Sequence, residues 1–132
     1  MEMYESTTSN IRIIVKPQFL EGQSRPDEEH FVWAYTIKIE NQGHDTVTLR
    51  SRYWKITDGR GRIQEVRGAG VVGEQPTLAP GQSFEYTSGA PLPTPSGFMA
   101  GSYEMQASDG RLFNVEIPAF SLDSPHASRQ MH

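Results

Sequence analysis

The chain contains no cysteine, which excludes a disulfide scaffold and any thiolate-ligated zinc site and fits a reducing compartment. Long apolar runs are also missing: no stretch approaches the roughly 18 apolar residues needed to span a bilayer. The opening MEMYESTTSNIRIIV carries acidic residues where a signal peptide is positive, and no apolar run of signal-peptide length follows. These absences predict a soluble, cytoplasmic protein with no membrane insertion. No internal repeat and no convincing amphipathic helix are visible. Histidine is scarce, with four residues in all, so clusters of metal-binding or catalytic histidines have little to draw on.

What is present is enough for one packed domain. The 132 residues, 36% hydrophobic and with 13 aromatics among them, allow roughly two-thirds of the unfolded surface to be buried. Net charge is −4, which argues against nonspecific nucleic-acid binding. The charge is unevenly spread. Residues 50–67 hold Arg50, Arg52, Lys55, Arg60, Arg62 and Arg67 against Asp58 and Glu65, a local +4 that leaves −8 elsewhere. Such an asymmetry focuses a field on one surface.

Period-two alternation recurs along the chain, the mark of half-buried strands. Ile11, Ile13 and Val15 alternate up to Pro17, and Phe31, Trp33, Tyr35, Ile37 and Ile39 form the strongest set. Val47 and Leu49 sit in one phase but Trp54 and Ile56 in the other, which predicts a bulge near Ser51–Tyr53 or a strand buried on both faces. Unless a bulge intervenes, Arg50 and Arg52 share the face of Trp54, and Lys55 takes the other. Asp58-Gly59-Arg60-Gly61 reads as a hairpin turn returning through Ile63–Arg67. Further strands are expected around Ser83–Ser88, Met99–Met105 and Leu112–Ile117. Seven short strands predict an all-β, antiparallel β-sandwich of immunoglobulin-like or fibronectin type III-like form. A closed barrel satisfies the same periodicity. Residues 1–9 are expected to be flexible, 10–122 to form the sandwich, and 123–132 to be a disordered tail.

The segment from Val66 to Met105 is the most specific. Gly68, Gly70 and Gly73 form a G-x-G-x-x-G triplet, but a dinucleotide fingerprint needs a helix after its last glycine. Glu74-Gln75-Pro76 and Ala79-Pro80-Gly81 follow instead, so the triplet reads as a shaped loop. The ordered set Gly70 to Pro76, Pro80-Gly81, Tyr86 to Gly89, Thr94-Pro95, and Gly97, Met99, Gly101 and Tyr103 closely resembles the ApaG family of small bacterial proteins. The resemblance takes in Tyr35–Asn41 and Arg52–Gly61 and covers about residues 11–122. It implies a fibronectin type III-like sandwich and a family association with cobalt resistance and magnesium efflux. Related domains in eukaryotic F-box and polymerase-interacting proteins imply a binding or regulatory module. Phe98 puts a bulky side chain between the matching Gly97 and Met99.

Two readings of function follow. In the first, the module binds a protein partner through the loops around Gly68–Gln75 and Ser88–Gly97, flanked by arginines. In the second, the backbone amides of Gly68, Gly70, Gly73, Glu74 and Gln75 cradle a phosphate, pyrophosphate or nucleotide, or support weak phosphohydrolase activity, with Arg60, Arg62 and Arg67 alongside. A groove with Tyr53 and Trp54 as stacking platforms is the nucleic-acid variant. Asp27-Glu28-Glu29-His30 and His44-Asp45 lack the spacing of a metal cage, and His126 and His132 fall in the tail. Ser88 lacks a nucleophile elbow. No catalytic residue, metal site or cofactor is therefore predicted, and the protein is expected not to be an enzyme. The residues select neither a monomer nor an edge-paired dimer.

Overall fold

The computed structural model describes residues 2–127. Two antiparallel sheets face each other across an apolar core, and nine strands occur among the described residues. The first sheet has the order β1-β2-β3-β7, from Tyr4–Thr8, Ile11–Phe19, Phe31–Asn41 and Ser83–Leu92. The second runs β5-β4-β8-β9, from Ile63–Ala69, Val47–Asp58, Gly97–Ala107 and Leu112–Leu122. The two-residue β6, Thr77–Leu78, adds to β4 beyond the end of β5. The chain changes sheets between β3 and β4, between β6 and β7, and between β7 and β8.

The expected sandwich is found, and β3 shows why it was readable. Its residues alternate buried and half-buried without a break, because Phe31, Trp33, Tyr35, Ile37 and Ile39 all turn to the opposite sheet. There Tyr35 meets Trp54 at 5.4 Å between ring centroids, and both rings pack on Phe120. The phase change in β4 is a bulge. Leu49 pairs with Met105 and Ser51 with Glu104, so Arg50 is the extra residue and everything after it changes face. A second irregularity lies where β9 carries Pro118, between the pairs Met99–Phe120 and Gly101–Ile117. Proline has no amide to give to a ladder.

Two expectations are corrected. Seven strands become nine, and the stretch 1–9 contains β1 rather than a loose end. Hydrogen bonds to the far sheet hold it. Ser6 Oγ donates to the Glu116 carbonyl at 3.1 Å, and the Glu116 amide donates to Thr8 Oγ1 at 3.3 Å. Arg12 braces it through Glu5 and through Glu40 at 3.1 Å. In the tail, Trp33 Nε1 donates to the Asp123 carbonyl at 2.7 Å, and Ser124 Oγ donates to the Pro95 carbonyl at 2.6 Å. The rest of that tail, 128–132 with His132, lies outside the described residues. Among the described residues no helix is long and apolar enough to cross a membrane.

Candidate functional site

After the bulge, Arg52 shares a face with Trp54 and Tyr103, the inner one. A long cation on an inner face must find acceptors or reach water. Arg52 runs over Gly68, where a Cβ would lie 2.9 Å from its Nη1. It ends on the backbone at the end of β5, donating to the Gly70 carbonyl at 2.8 Å and to the Ala69 carbonyl at 3.2 Å. Gly68 thus leaves room for the guanidinium, which a side chain there would displace. Behind Arg52, the hydroxyls of Tyr86 and Tyr103 meet at 2.5 Å between the two sheets. Burial pushes these two phenols and that of Tyr35 up, and the positive charge of Arg52 opposes the shift without cancelling it.

The arginine fixes one side of the loop, and the bulge fixes the other. The Arg50 carbonyl accepts from the Gly70 amide at 2.9 Å and from Gln75 Nε2 at 2.8 Å. Gly70 has φ of +63°, and a Cβ there would stand 2.2 Å from the Glu74 carbonyl oxygen. Only glycine fits that position. Val71 and Glu74 exchange amide–carbonyl bonds at 2.8 and 2.9 Å, closing a two-residue turn over Val72 and Gly73. Both have positive φ, +43° and +81°, the pattern of a type I′ turn. Asparagine or glycine is usual at the first of these positions, whereas a β-branched residue is a strained outlier there. Val71 is buried, but Val72 stands 53% exposed at the tip.

The opposite end of the sandwich is built from other parts. Asp58, buried at the end of β4, accepts at Oδ1 from the amides of Arg60 at 2.8 Å and Arg62 at 3.0 Å. Thr94, also buried, accepts from the Gly59 amide and donates to the Ser96 carbonyl, both at 2.8 Å. Arg60 pairs with Glu29 at 2.6 Å. The Asp58 turn and the Pro93–Ser96 segment thus sit together, one length of β4 away from Gly70. From Arg50 to Gly59 that length is about 30 Å.

This geometry corrects several expectations. Gly68–Gln75 and Ser88–Gly97 do not form one contact surface, because the turn that follows β7 lies at the Asp58 end. Arg60 and Arg62 do not flank the glycine loop of their own chain, since the whole of β5 separates them from it. Arg67 is nearer in sequence but points to the outer face, where its guanidinium covers the Tyr53 ring at 4.5 Å and Tyr53 donates to Glu65 at 2.7 Å. Trp54 is in the core, so Tyr53 and Trp54 cannot stack on one ligand. Of the amides expected to cradle an anion, those of Gly70 and Glu74 are already donated within the chain. Arg50 also leaves the face of Trp54, reaching Gln106 on the outer side at 2.8 Å.

The basic stretch is therefore dispersed over both faces and both ends. Among the described residues no three histidines or carboxylates converge as metal ligands. Glu28 and Glu29 lie by a short 3₁₀ turn, His30 bridges back to Arg25, and His126 packs by Phe19, Phe31 and Glu21. Sequence reasoning did not single out Arg52 or Val72 as site residues. The signals were there: Arg52 has the parity of Trp54, and Val71-Val72 stands between two glycines.

The matching family model is the ApaG domain, over residues 21–107. The chain is 61% identical to Protein ApaG of Parvibaculum lavamentivorans over 98% of its own length and all of that protein's. It is 63% identical to Protein ApaG of Rhodospirillum centenum, covering 94% of this chain and 95% of that one. The crystal structure of an ApaA protein from Bordetella pertussis superposes with a TM-score of 0.85 at 50% identity, covering 87% of this chain and 94% of that one. The C-terminal domain of wzt shares the fold alone, with a TM-score of 0.53 at 14% identity over 92% of this chain and 77% of that one.

Proposed function

Since this chain belongs to the ApaG domain family, we propose that it is a non-catalytic binding module that grips a protein partner with the Val71–Glu74 turn. The observation that supports this reading is Val72, which combines strain with exposure. A β-branched residue in the left-handed region costs about 1–2 kcal/mol, and an apolar side chain in water returns none of it. A partner that covers Val72 removes that mismatch. The loop is also rigid by construction, because Arg52, Gln75 and the Arg50 carbonyl hold it on both sides. A preformed tip loses little entropy on docking. In this reading the family's association with cobalt and magnesium passes through the partner, such as a transporter, rather than through a metal held by this chain.

The test uses Val72→Gly, which relieves the strain and removes the apolar contact. Immobilised wild type and variant are compared for the partner recovered from native lysate, and each is melted. The expected result is a partner affinity about tenfold weaker together with a higher melting temperature. Equal recovery by both proteins would sink the proposal.

A further inference from the structure

Among the described residues the two sheets have four long edge strands, beside the two-residue β6 on the flank of β4, and three of the four are protected. β1 and β9 cover one another's flank through the Ser6, Thr8 and Glu116 bonds. β7 carries Pro91, which blunts an edge. β5 has neither a covering flank nor a proline, and its charges, Glu65 and Arg67, are of opposite sign. It ends the second sheet with β4 as its only strand partner among the described residues, and its inward residues Gln64, Val66 and Gly68 are uncharged.

The direction of its free hydrogen-bonding groups follows from the ladder. The Asp58 amide donates to the Arg62 carbonyl and the Gly70 amide to the Arg50 carbonyl, so the even-numbered residues between turn their groups to β4. Ile63, Glu65, Arg67 and Ala69 turn theirs outward, and their side chains share the outer face with Tyr53, Lys55 and Thr57. The charges on this edge are ordered as Glu65, Val66, Arg67. We propose that β5 pairs antiparallel with β5 of a second copy of this chain, about a two-fold axis at Val66.

In that register Glu65 of each copy faces Arg67 of the other, and Ile63 faces Ala69. Glu65 and Arg67 both have outward backbone groups, so the oppositely charged residues also exchange backbone hydrogen bonds. Shifting the axis to residue 65 sets glutamate against glutamate, and shifting it to 67 sets arginine against arginine. Like charges directly opposite are destabilising, so the charge order selects one register. The uncovered edge is thus self-complementary, as a two-fold interface must be. Extended outward, the same register sets Arg62 of the second copy level with Gly70, near the acidic Glu74. The basic residues and the glycine loop, remote within one chain, come together across two.

The test is a charge swap read by sedimentation from micromolar to millimolar protein at low salt. Wild type is expected to dimerise. Glu65→Arg and Arg67→Glu each place like charges opposite one another twice, and are expected to weaken the dimer roughly ten- to thirtyfold. The double variant Glu65→Arg/Arg67→Glu restores the pairing. Arg67→Glu leaves the Tyr53–Glu65 bond in place, so it stands as the check if Glu65→Arg folds poorly. Amide exchange supplies a residue-level readout: Ile63, Glu65 and Arg67 slow down as concentration rises, while Gln64 and Val66 are slow throughout. A chain that stays monomeric at millimolar concentration overturns the proposal, as it does if the edge is kept for a strand of another protein. A dimer indifferent to the single swaps, or not restored by the double one, also overturns it.

Discussion

At the Asp58 end of the sandwich, buried side chains satisfy the turn: Asp58 and Thr94 take or give hydrogen bonds at their oxygens, and Gly61 supplies the positive φ. At the Gly70 end, the backbone bonds are equally complete, but the turn falls on a valine that resists it. One end uses side-chain chemistry suited to its conformation, and the other imposes a conformation unsuited to its side chain. Stability alone explains the first arrangement. The second persists because Arg52 and the bulge over-determine the loop, which is how strain is held at sites that serve something other than folding.

The largest way to break this comparison is Gly70→Ala. Its Cβ would meet the Glu74 carbonyl at 2.2 Å, so the turn must open, at an expected cost of about 3 kcal/mol or more in denaturant unfolding. A loss below about 1 kcal/mol would mean that the loop is not over-determined. Next comes Thr94→Val at the other end. It leaves the Gly59 amide and the Ser96 carbonyl without this partner, for an expected loss of about 2 kcal/mol. The third effect has the opposite sign. Val72→Gly should stabilise the protein by about 1 kcal/mol, and a neutral or destabilising result would show that the turn bears no strain.

The smallest effect at neutral pH is that of the phenols behind Arg52, which matters only in alkali. Tyr86 and Tyr103 are raised above the ordinary tyrosine value chiefly by burial. The unfolded chain therefore loses these protons first, at a pH of about 10. Their contribution is fully present below that pH and falls as pH rises toward the folded values. Thermal melts should be level to the mildly alkaline range and then decline, more gently in Tyr86→Phe than in wild type. An equal decline in both would remove the Tyr86 phenol from the account.

Strand alternation and the hairpin at Asp58 were legible because each is a local pattern. The phase break between Leu49 and Trp54 even announced the bulge, though its centre lies at Arg50. β1 was not legible because Tyr4–Thr8 is polar and buries no residue fully, although it pairs with the adjacent β2 and adds hydrogen bonds to Glu116 on the far sheet. The loop's true neighbours were hidden for a different reason. Residues 60–75 are adjacent in sequence, but a seven-residue strand runs through them and sends the arginines and the glycines to opposite ends. The glycine triplet showed that a turn was needed. It did not show that the turn would centre on Val72.

The contact between Tyr86 and Tyr103 has one more consequence. Apolar packing between two sheets is non-directional, so it penalises sliding of one sheet over the other only weakly. The two hydroxyls come from β7 and β8, one from each sheet, and they meet at 2.5 Å in a buried setting. A slip of one residue, about 3.4 Å, would strand both, at about 1–3 kcal/mol for each group left unpaired. The pair therefore acts as a dowel between the layers, setting their alignment where the apolar contacts supply most of the adhesion.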